Sequence, residues 1–437
     1  MSEIIKIPNG WYKAELGIIL ELLTDYTANG SFESLRDNVQ YYSNEEYAVL
    51  VRTTDLNKRK FIPQRFTDYK GWKYLRKTAL FGNEILIANV GSVGNVYRVP
   101  FYNQPMTLAP NMYLLKFSDE VSEDYLYYVL TNKEFKINLL KQLGSTTLQA
   151  INKDNLRNIE VLVPTLKQEQ QKIAEVLGEV DNAISKTEEL FEKNKRIKTA
   201  LMQDLLSYGI DENGKIRHPL THKFKPSELG DIPDEWNCVE LKKVTFFIKD
   251  GTHGTHKDVN DGIPLLSAKD IKNGNLVIPD DCRRISKSDY NQIHQNYEIL
   301  ENDVLMSIVG TIGEVAIVKT MKIFTLQRSV AIFRFKELYP KFAYYSLTNE
   351  QFYNQLLANI NASAQGGIYL GALSNCKIKY PRSEIEQQRI AQILSSQDEK
   401  IEDIKNKLIK LKSLKASLMQ DLLCGRKRVT KLMEENL

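Results

Sequence analysis

The sequence predicts an α+β fold: two homologous α/β modules separated by two long helices forming an antiparallel coiled coil, pseudo-two-fold symmetric. Three observations predict it. Residues 164–206 and 381–423 align without a gap at a constant offset of 217. Each segment carries the 3-4 apolar spacing of a coiled-coil helix. Each also follows a block of about 160 residues that shares landmarks with the other block, the mark of an internal repeat.

The first module, residues 1–163, opens on Ile7-Pro8-Asn9-Gly10-Trp11, with Glu15-Leu16 behind it. The apolar run Glu84 to Val90 then enters the loop Gly91-Ser92-Val93-Gly94-Asn95, and Val96–Val99 leaves it. Such a pattern reads as a buried strand, a turn that uses glycine's positive φ, and a second strand. A third strand is expected over Thr107–Phe117, and a short helix at Tyr127-Tyr128…Thr131-Asn132…Phe135. Leu156-x-Asn158 closes the module.

The first long helix, 164–208, begins with Glu169-Gln170-Gln171-Lys172-Ile173-Ala174 and ends with Leu201-Met202-Gln203-Asp204-Leu205-Leu206. Its expected seam is Ile173, Leu177, Val180, Ile184, Thr187, Phe191, Asn194, Leu201 and Leu205, with Lys198 in one slot. Residues 209–230, rich in Asn, Gly, Pro, His and Lys, read as a linker of low order.

The second module, 231–380, repeats the plan. Ile232-Pro233-Asp234-Glu235-Trp236 precedes Glu240-Leu241, and Asp303 to Val309 enters Gly310-Thr311-Ile312-Gly313-Glu314. A third strand is expected over Thr325–Phe335, then Tyr344-Tyr345…Thr348-Asn349…Phe352 and Leu373-x-Asn375. The second long helix, 381–425, opens on Glu386-Gln387-Gln388-Arg389-Ile390-Ala391 and ends on Leu418-Met419-Gln420-Asp421-Leu422-Leu423. Its seam is Ile390, Leu394, Gln397, Ile401, Ile404, Leu408, Leu411, Leu418 and Leu422, with Lys415 in the slot that matches Lys198. A basic tail, 426–437, follows. Asn194 and Gln397 are polar seam residues that either fix register or mark a frayed stretch.

Composition and motifs exclude several functions. No apolar run is long enough to cross a bilayer, and Met1-Ser2-Glu3 lacks a basic leader, so a cytoplasmic chain with no membrane contact is expected. Cys238, Cys282, Cys376 and Cys424 form no Cys-x-x-Cys pair and are expected as reduced thiols. No Pro-Pro dipeptide occurs, which argues against an amino-methyltransferase site, and no Gly-x4-Gly-Lys-Ser/Thr phosphate loop is present. Pro233-Asp234…Glu240-x-Lys242 is spaced too closely for a nuclease site. His253-x-x-His256 lacks a third metal ligand nearby. No catalytic residue, cofactor site or metal site is expected.

Net charge is only +4, with about +1 on residues 1–163 and about −1 on 226–380. Nucleic acid would therefore be held by local clusters rather than by bulk charge. Candidates are Lys249, Thr252, His253, Thr255, His256 and Lys257 in a loop with two glycines, which also reads as a solvated hairpin tip. The glycine turns at Ser92, Asn95 and Thr311 are either phosphate cradles or plain turns. Gln327-Arg328, inside an expected strand, suits a purine edge or an edge-strand salt bridge. Lys269, Arg283, Arg284 and Lys287, with Arg52, Lys58, Arg59 and Lys60 in the first module, are candidate backbone contacts.

The module starts, the Gly-Thr-Ile-Gly-type turns, and the Glu-Gln-Gln-x-Ile-Ala and Leu-Met-Gln-Asp-Leu-Leu signatures together resemble the specificity subunits of type I restriction–modification systems, over essentially the whole chain. The resemblance implies a non-catalytic DNA-recognition subunit whose two target-recognition domains each read half of a bipartite duplex site. It implies a coiled coil that sets the spacer and docks two modification subunits, with restriction/translocase subunits joining that core. S-adenosylmethionine, ATP and Mg are then expected on the partners. The first module departs from the pattern at Ser92 and Val93 and lacks the Gly-Thr-His-Gly-Thr-His loop. The competing expectation is a coiled-coil adaptor with two protein-binding modules.

Overall fold

The computed structural model describes residues 7–58, 60–141, 150–319, 322–361 and 366–430. The chain divides into two units, residues 1–188 with 407–437, and residues 189–406. The division falls inside both long helices, Lys167–Leu205 and Glu384–Leu422.

In the first unit, Trp11–Glu15 pairs antiparallel with Glu160–Pro164, so the module's first and last strands close against each other. A four-stranded sheet runs Leu20–Asp25, Met112–Phe117, Ile85–Ala88, Val96–Arg98. A second four-stranded sheet runs Phe66–Thr67, Ala48–Val51, Met106–Leu108, Ala79–Leu80, with its middle pair parallel. The strand Ile85–Ala88 explains its own unbroken apolar sequence. Ile85 and Ile87 enter a core shared with the helices, while Leu86 and Ala88 enter the core under the second sheet. Successive side chains leave opposite faces of a strand, and here both faces are buried.

The second unit repeats this order. Trp236–Glu240 pairs with Lys377–Pro381, and the central sheet runs Thr245–Asp250, Val330–Phe335, Val304–Ser307, Val315–Ile317. Ile263–Leu266 lies between Arg284–Ile285 and, in parallel, Thr325–Leu326. Val304 and Met306 face one core and Leu305 the other. Glu123–Thr131 and Lys133–Lys141 in the first unit answer Pro340–Leu347 and Glu350–Asn361 in the second.

Within each unit the helical pieces pack antiparallel. In the first, Ile173, Ala174 and Leu177 share a core with Leu418, Leu422 and Leu423, and Lys415 reaches Asp181 at 2.6 Å. In the second, Leu201 and Leu205 share a core with Ile390, Ala391 and Leu394. Of the remaining apolar seam positions and Thr187, Thr187 and Ile404 are buried, while Val180, Ile184, Phe191, Ile401, Leu408 and Leu411 are half-buried. Asn194 and Gln397 bond each other: the Gln397 amide donates to the Asn194 backbone oxygen at 3.0 Å and to its side-chain oxygen at 3.2 Å.

Two expectations are corrected. The third strand is broken in both modules, between Leu108 and Met112 and between Leu326 and Val330. Its first piece joins the parallel pair and its second the central sheet, so the chain turns between them; Asn111 holds φ +74° at that turn. The stretch 209–230 is not low in order. It contains a bridge between Ile210 and Ile216, a strand pair Phe224–Lys225 with Ile232–Pro233, and the buried Arg217. An arginine that far inside the protein requires an ionic partner, and that partner fixes the segment.

Candidate nucleic-acid interface

Each module is fastened to its helix pair by the residues that made the repeat visible. Gln170 accepts from the backbone N–H of Ser122 at 2.7 Å and donates to the Pro164 carbonyl at 2.8 Å. Gln387 does the same with Tyr339 at 2.7 Å and Pro381 at 2.9 Å. The neighbouring Glu169 is bound by Arg428, whose Nη2 lies 2.7 Å from Oε2. Glu386 is bound by Arg217 at 2.5 and 3.0 Å and also accepts from the Trp236 indole at 3.1 Å. Gly209, at φ +64°, has to be glycine here, since a Cβ would stand 2.3 Å from Glu386 Oε1. Tyr128 donates to Asp181 at 3.0 Å beside Lys415, and Tyr345 donates to Asp398 at 2.8 Å beside Lys198. Burial pushes both tyrosine hydroxyls well up from their ordinary pKa, and the adjacent carboxylates add to it. They therefore stay protonated donors.

With the scaffold held in the same way twice, the loops at the opposite edge of the sheets carry the differences. In the second unit the loop after Thr245–Asp250 lies against the Gln327-Arg328 turn. Thr252 N–H donates to Leu326 O at 2.8 Å, and Arg328 N–H donates to Thr252 O at 3.1 Å. Gly251 allows this approach, because a Cβ there would be 2.1 Å from Leu326 O. Ala268 N–H donates to Ser329 Oγ at 3.1 Å, which sets the exposed Lys269 beside the same turn. Ile308 N–H donates to Ser329 O at 2.9 Å, joining the Thr311 hairpin to it. The structure thus gathers Thr252, Lys269, Thr311, Gln327 and Arg328. Among the described residues the side chains of Gln327, Arg328, Lys269, Thr255 and Lys257 make no hydrogen bond or ion pair, and Arg328 is exposed.

Other candidates have internal partners. Arg283 pairs with Asp258 at 2.7 Å and donates to His256 O at 3.1 Å, so it staples the loop. Arg284 donates to Gly262 O at 3.1 Å. Lys249 lies over the Tyr297 ring at 4.6 Å. His253 faces Asp250 at 2.6 Å, while His256 faces Thr252 at 2.8 Å and Asp289 at 3.1 Å. The two histidines serve separate partners, and among the described residues no cluster of His, Cys, Asp and Glu could hold a metal ion. Nor is any described helix long and apolar enough to cross a membrane.

In the first unit Arg52 makes a two-pronged pair with the buried Asp55, at 3.0 and 2.8 Å. This turn matches the one at Ser267–Asp270, where Asp270 accepts from Ser267 N–H at 2.8 Å. Arg52 and Lys269 thus stand on equivalent turns. Lys58 and Lys60 are exposed, and Arg59 lies outside the described residues. Asn95 accepts from Lys136 at 2.7 Å, and Ser92 is half-buried in its turn. The N–H groups of Gly94, Asn95, Gly313 and Glu314 are satisfied inside their hairpins, so the turn alone accounts for those glycines. Where the second unit has Gln327-Arg328-Ser329 the first has Ala109-Pro110-Asn111, and where the second has Asp250-Gly251-Thr252 the first has Asp25-Tyr26-Thr27. Sequence reasoning missed that these two segments share one edge. Pro110-Asn111, a strong turn signal, was the clue available.

Comparison with known proteins gives a consistent result. The family model described as "Type I restriction modification DNA specificity domain" matches residues 8–198 and again 233–413. The chain is 27% identical over 417 residues to the type I restriction enzyme MjaVIII specificity subunit of Methanocaldococcus jannaschii, covering 91% of this chain and 92% of that one. It is 25% identical over 446 residues to the putative MjaX specificity subunit of the same organism, covering 98% and 96%. Its fold is similar to the crystal structure of a type I restriction–modification S subunit from M. genitalium, with a TM-score of 0.57 at 18% identity over 96% of this chain and 98% of that one.

Proposed function

We propose, on the premise that this chain belongs to the type I restriction modification DNA specificity family, that it reads a bipartite duplex target, one half with each unit. The chain is a non-catalytic recognition subunit of a restriction–modification system. The observation that supports a two-part target is the contrast between scaffold and edge. Gln170 and Gln387, Glu169 and Glu386, and Tyr128 and Tyr345 perform the same tasks in both units. The residues at the open loop edge differ in charge and hydrogen-bonding character. A common scaffold carrying unlike edges suits two unlike sequences.

On this reading Gln327, Arg328 and Thr252 meet base edges in the major groove, while Lys269, Lys257, Lys58 and Lys60 meet phosphates. The paired helices set the length of the unread spacer and dock two methyltransferase subunits. Restriction subunits join that core. S-adenosylmethionine, ATP and Mg act on those partners. Exchanging residues 1–163 for another module, in the complex with the methyltransferase, tests the assignment. One half of the methylated motif should change while the other half stays. A change in both halves would refute it.

A further inference from the structure

Thr252, His256 and Asp289 form a connected chain in the second unit. Thr252 Oγ1 lies 2.8 Å from His256 Nε2, and His256 Nδ1 lies 3.1 Å from Asp289 Oδ1. Asp289 Oδ2 accepts from the Ser286 hydroxyl at 2.6 Å. The Ser286 hydroxyl, then the imidazole, holds the Asp289 carboxyl below its ordinary range, so it is ionised and only accepts.

The protons follow from this. An ionised Asp289 places an imidazole proton on Nδ1, and a singly protonated ring then keeps its lone pair on Nε2. The Thr252 hydroxyl must therefore donate to His256. Gly254 N–H in turn donates to Thr252 Oγ1 at 3.1 Å. A hydroxyl has one proton and two lone pairs. The proton and one lone pair are engaged, and a single lone pair remains. The loop is shaped around this arrangement: a Cβ on Gly254 would stand 2.9 Å from His256 Nε2. Thr252 itself is half-buried, adjacent to Gln327 and Arg328.

We infer that His256 and Asp289 hold Thr252 as a hydrogen-bond acceptor toward DNA, so that the second unit selects a base with an exocyclic amino group where this hydroxyl meets the major groove. Adenine N6 and cytosine N4 donate there, whereas guanine and thymine present acceptors that would face the lone pair. Thr252 is thereby a specificity residue, and His256 and Asp289 are positioning residues that remove the two-way character a free threonine would have. The inference rests on the reading of this unit as a half-site reader.

The test uses the full chain with its methyltransferase partner. Duplexes randomised in both half-sites are selected by the parent protein and by Thr252→Val, Thr252→Ser and Asp289→Asn. The parent should show one second-half position taking adenine or cytosine over guanine or thymine by roughly ten-fold, the cost of a mismatched contact. Thr252→Val should relax that position alone, and Thr252→Ser should restore it. Asp289→Asn, which frees the imidazole to adopt either tautomer, should weaken the preference without lowering affinity for the first half-site. Unchanged preferences at the other second-half positions show that each variant's second unit is folded. The inference is overturned if Thr252→Val or Asp289→Asn leaves every second-half preference intact. It is equally overturned if the position that relaxes is one where the parent takes guanine or thymine. A parent protein with no sequence preference in either half would instead overturn the two-part reading of the target.

Discussion

Glu169 and Glu386 occupy the same place in the repeat, yet the arginines that bind them come from unlike segments. Arg217 follows the first helix and Arg428 follows the second. Exposure decides what each pair is worth. The Arg217 and Glu386 side chains are 8% and 9% exposed, so removing one strands a charge in the interior. Arg217→Ala should cost about 3–5 kcal/mol in urea unfolding. Arg428 is 30% exposed but its partner Glu169 is 0% exposed, so Arg428→Ala also strands a carboxylate in the interior and should cost a similar amount. A milder loss is expected for Tyr345→Phe, about 1–3 kcal/mol, since Asp398 keeps its bond to Lys198. A loss below about 1 kcal/mol for either arginine variant would contradict this reading of the buried carboxylates. The glutamates and glutamines were plain in the sequence as a repeated motif. Their task was not, because the partners lie 169 and 259 residues away and share no motif.

At the scale of the element, helices and strands differ in how openly they announce themselves. The long helices were readable to within a few residues, because the seam spacing persists over 39 residues in each. The strands Ile85–Ala88 and Val304–Ser307 were readable as apolar runs. The break after Leu108 and Leu326 was not, since both halves of each broken strand are apolar and only the turn residues betray it. The edge that carries Gln327 and Arg328 depends on that break. The polar pair Asn194–Gln397 has an apolar counterpart in the first unit, where the repeat places Leu411 and Val180. Asn194→Leu alone should destabilise by about 1–3 kcal/mol, because the Gln397 amide loses a partner at the seam. Asn194→Leu with Gln397→Val should recover most of that loss. A double variant no more stable than the single one in thermal unfolding would show that the pair does not act as a unit.

For the whole molecule, the proposed function makes helix length a measure of the target. One heptad inserted into both helices keeps the seam in phase and adds about 10 Å of axis, so the preferred spacer should grow by roughly three base pairs. Motif determination from methylated DNA would show it, and an unchanged spacer would end the ruler account. The duplication and its two-part consequence were legible in the sequence from the constant offset alone. Which side chains remained free at the edge was not, because partners such as Asp258 and Asp55 are chosen by the fold. One further consequence lies in how the two units are distributed along the chain. The second is a continuous stretch, residues 189–406, whereas the first needs residues 407–422 to complete its helix pair. At the usual pace of synthesis, ~5–20 residues per second, the first unit waits on the order of 10–40 s between its early and its final segments. Released chains that end at residue 406 should therefore resist protease across the second unit while the first remains open to cleavage, so the half translated first is the half finished last.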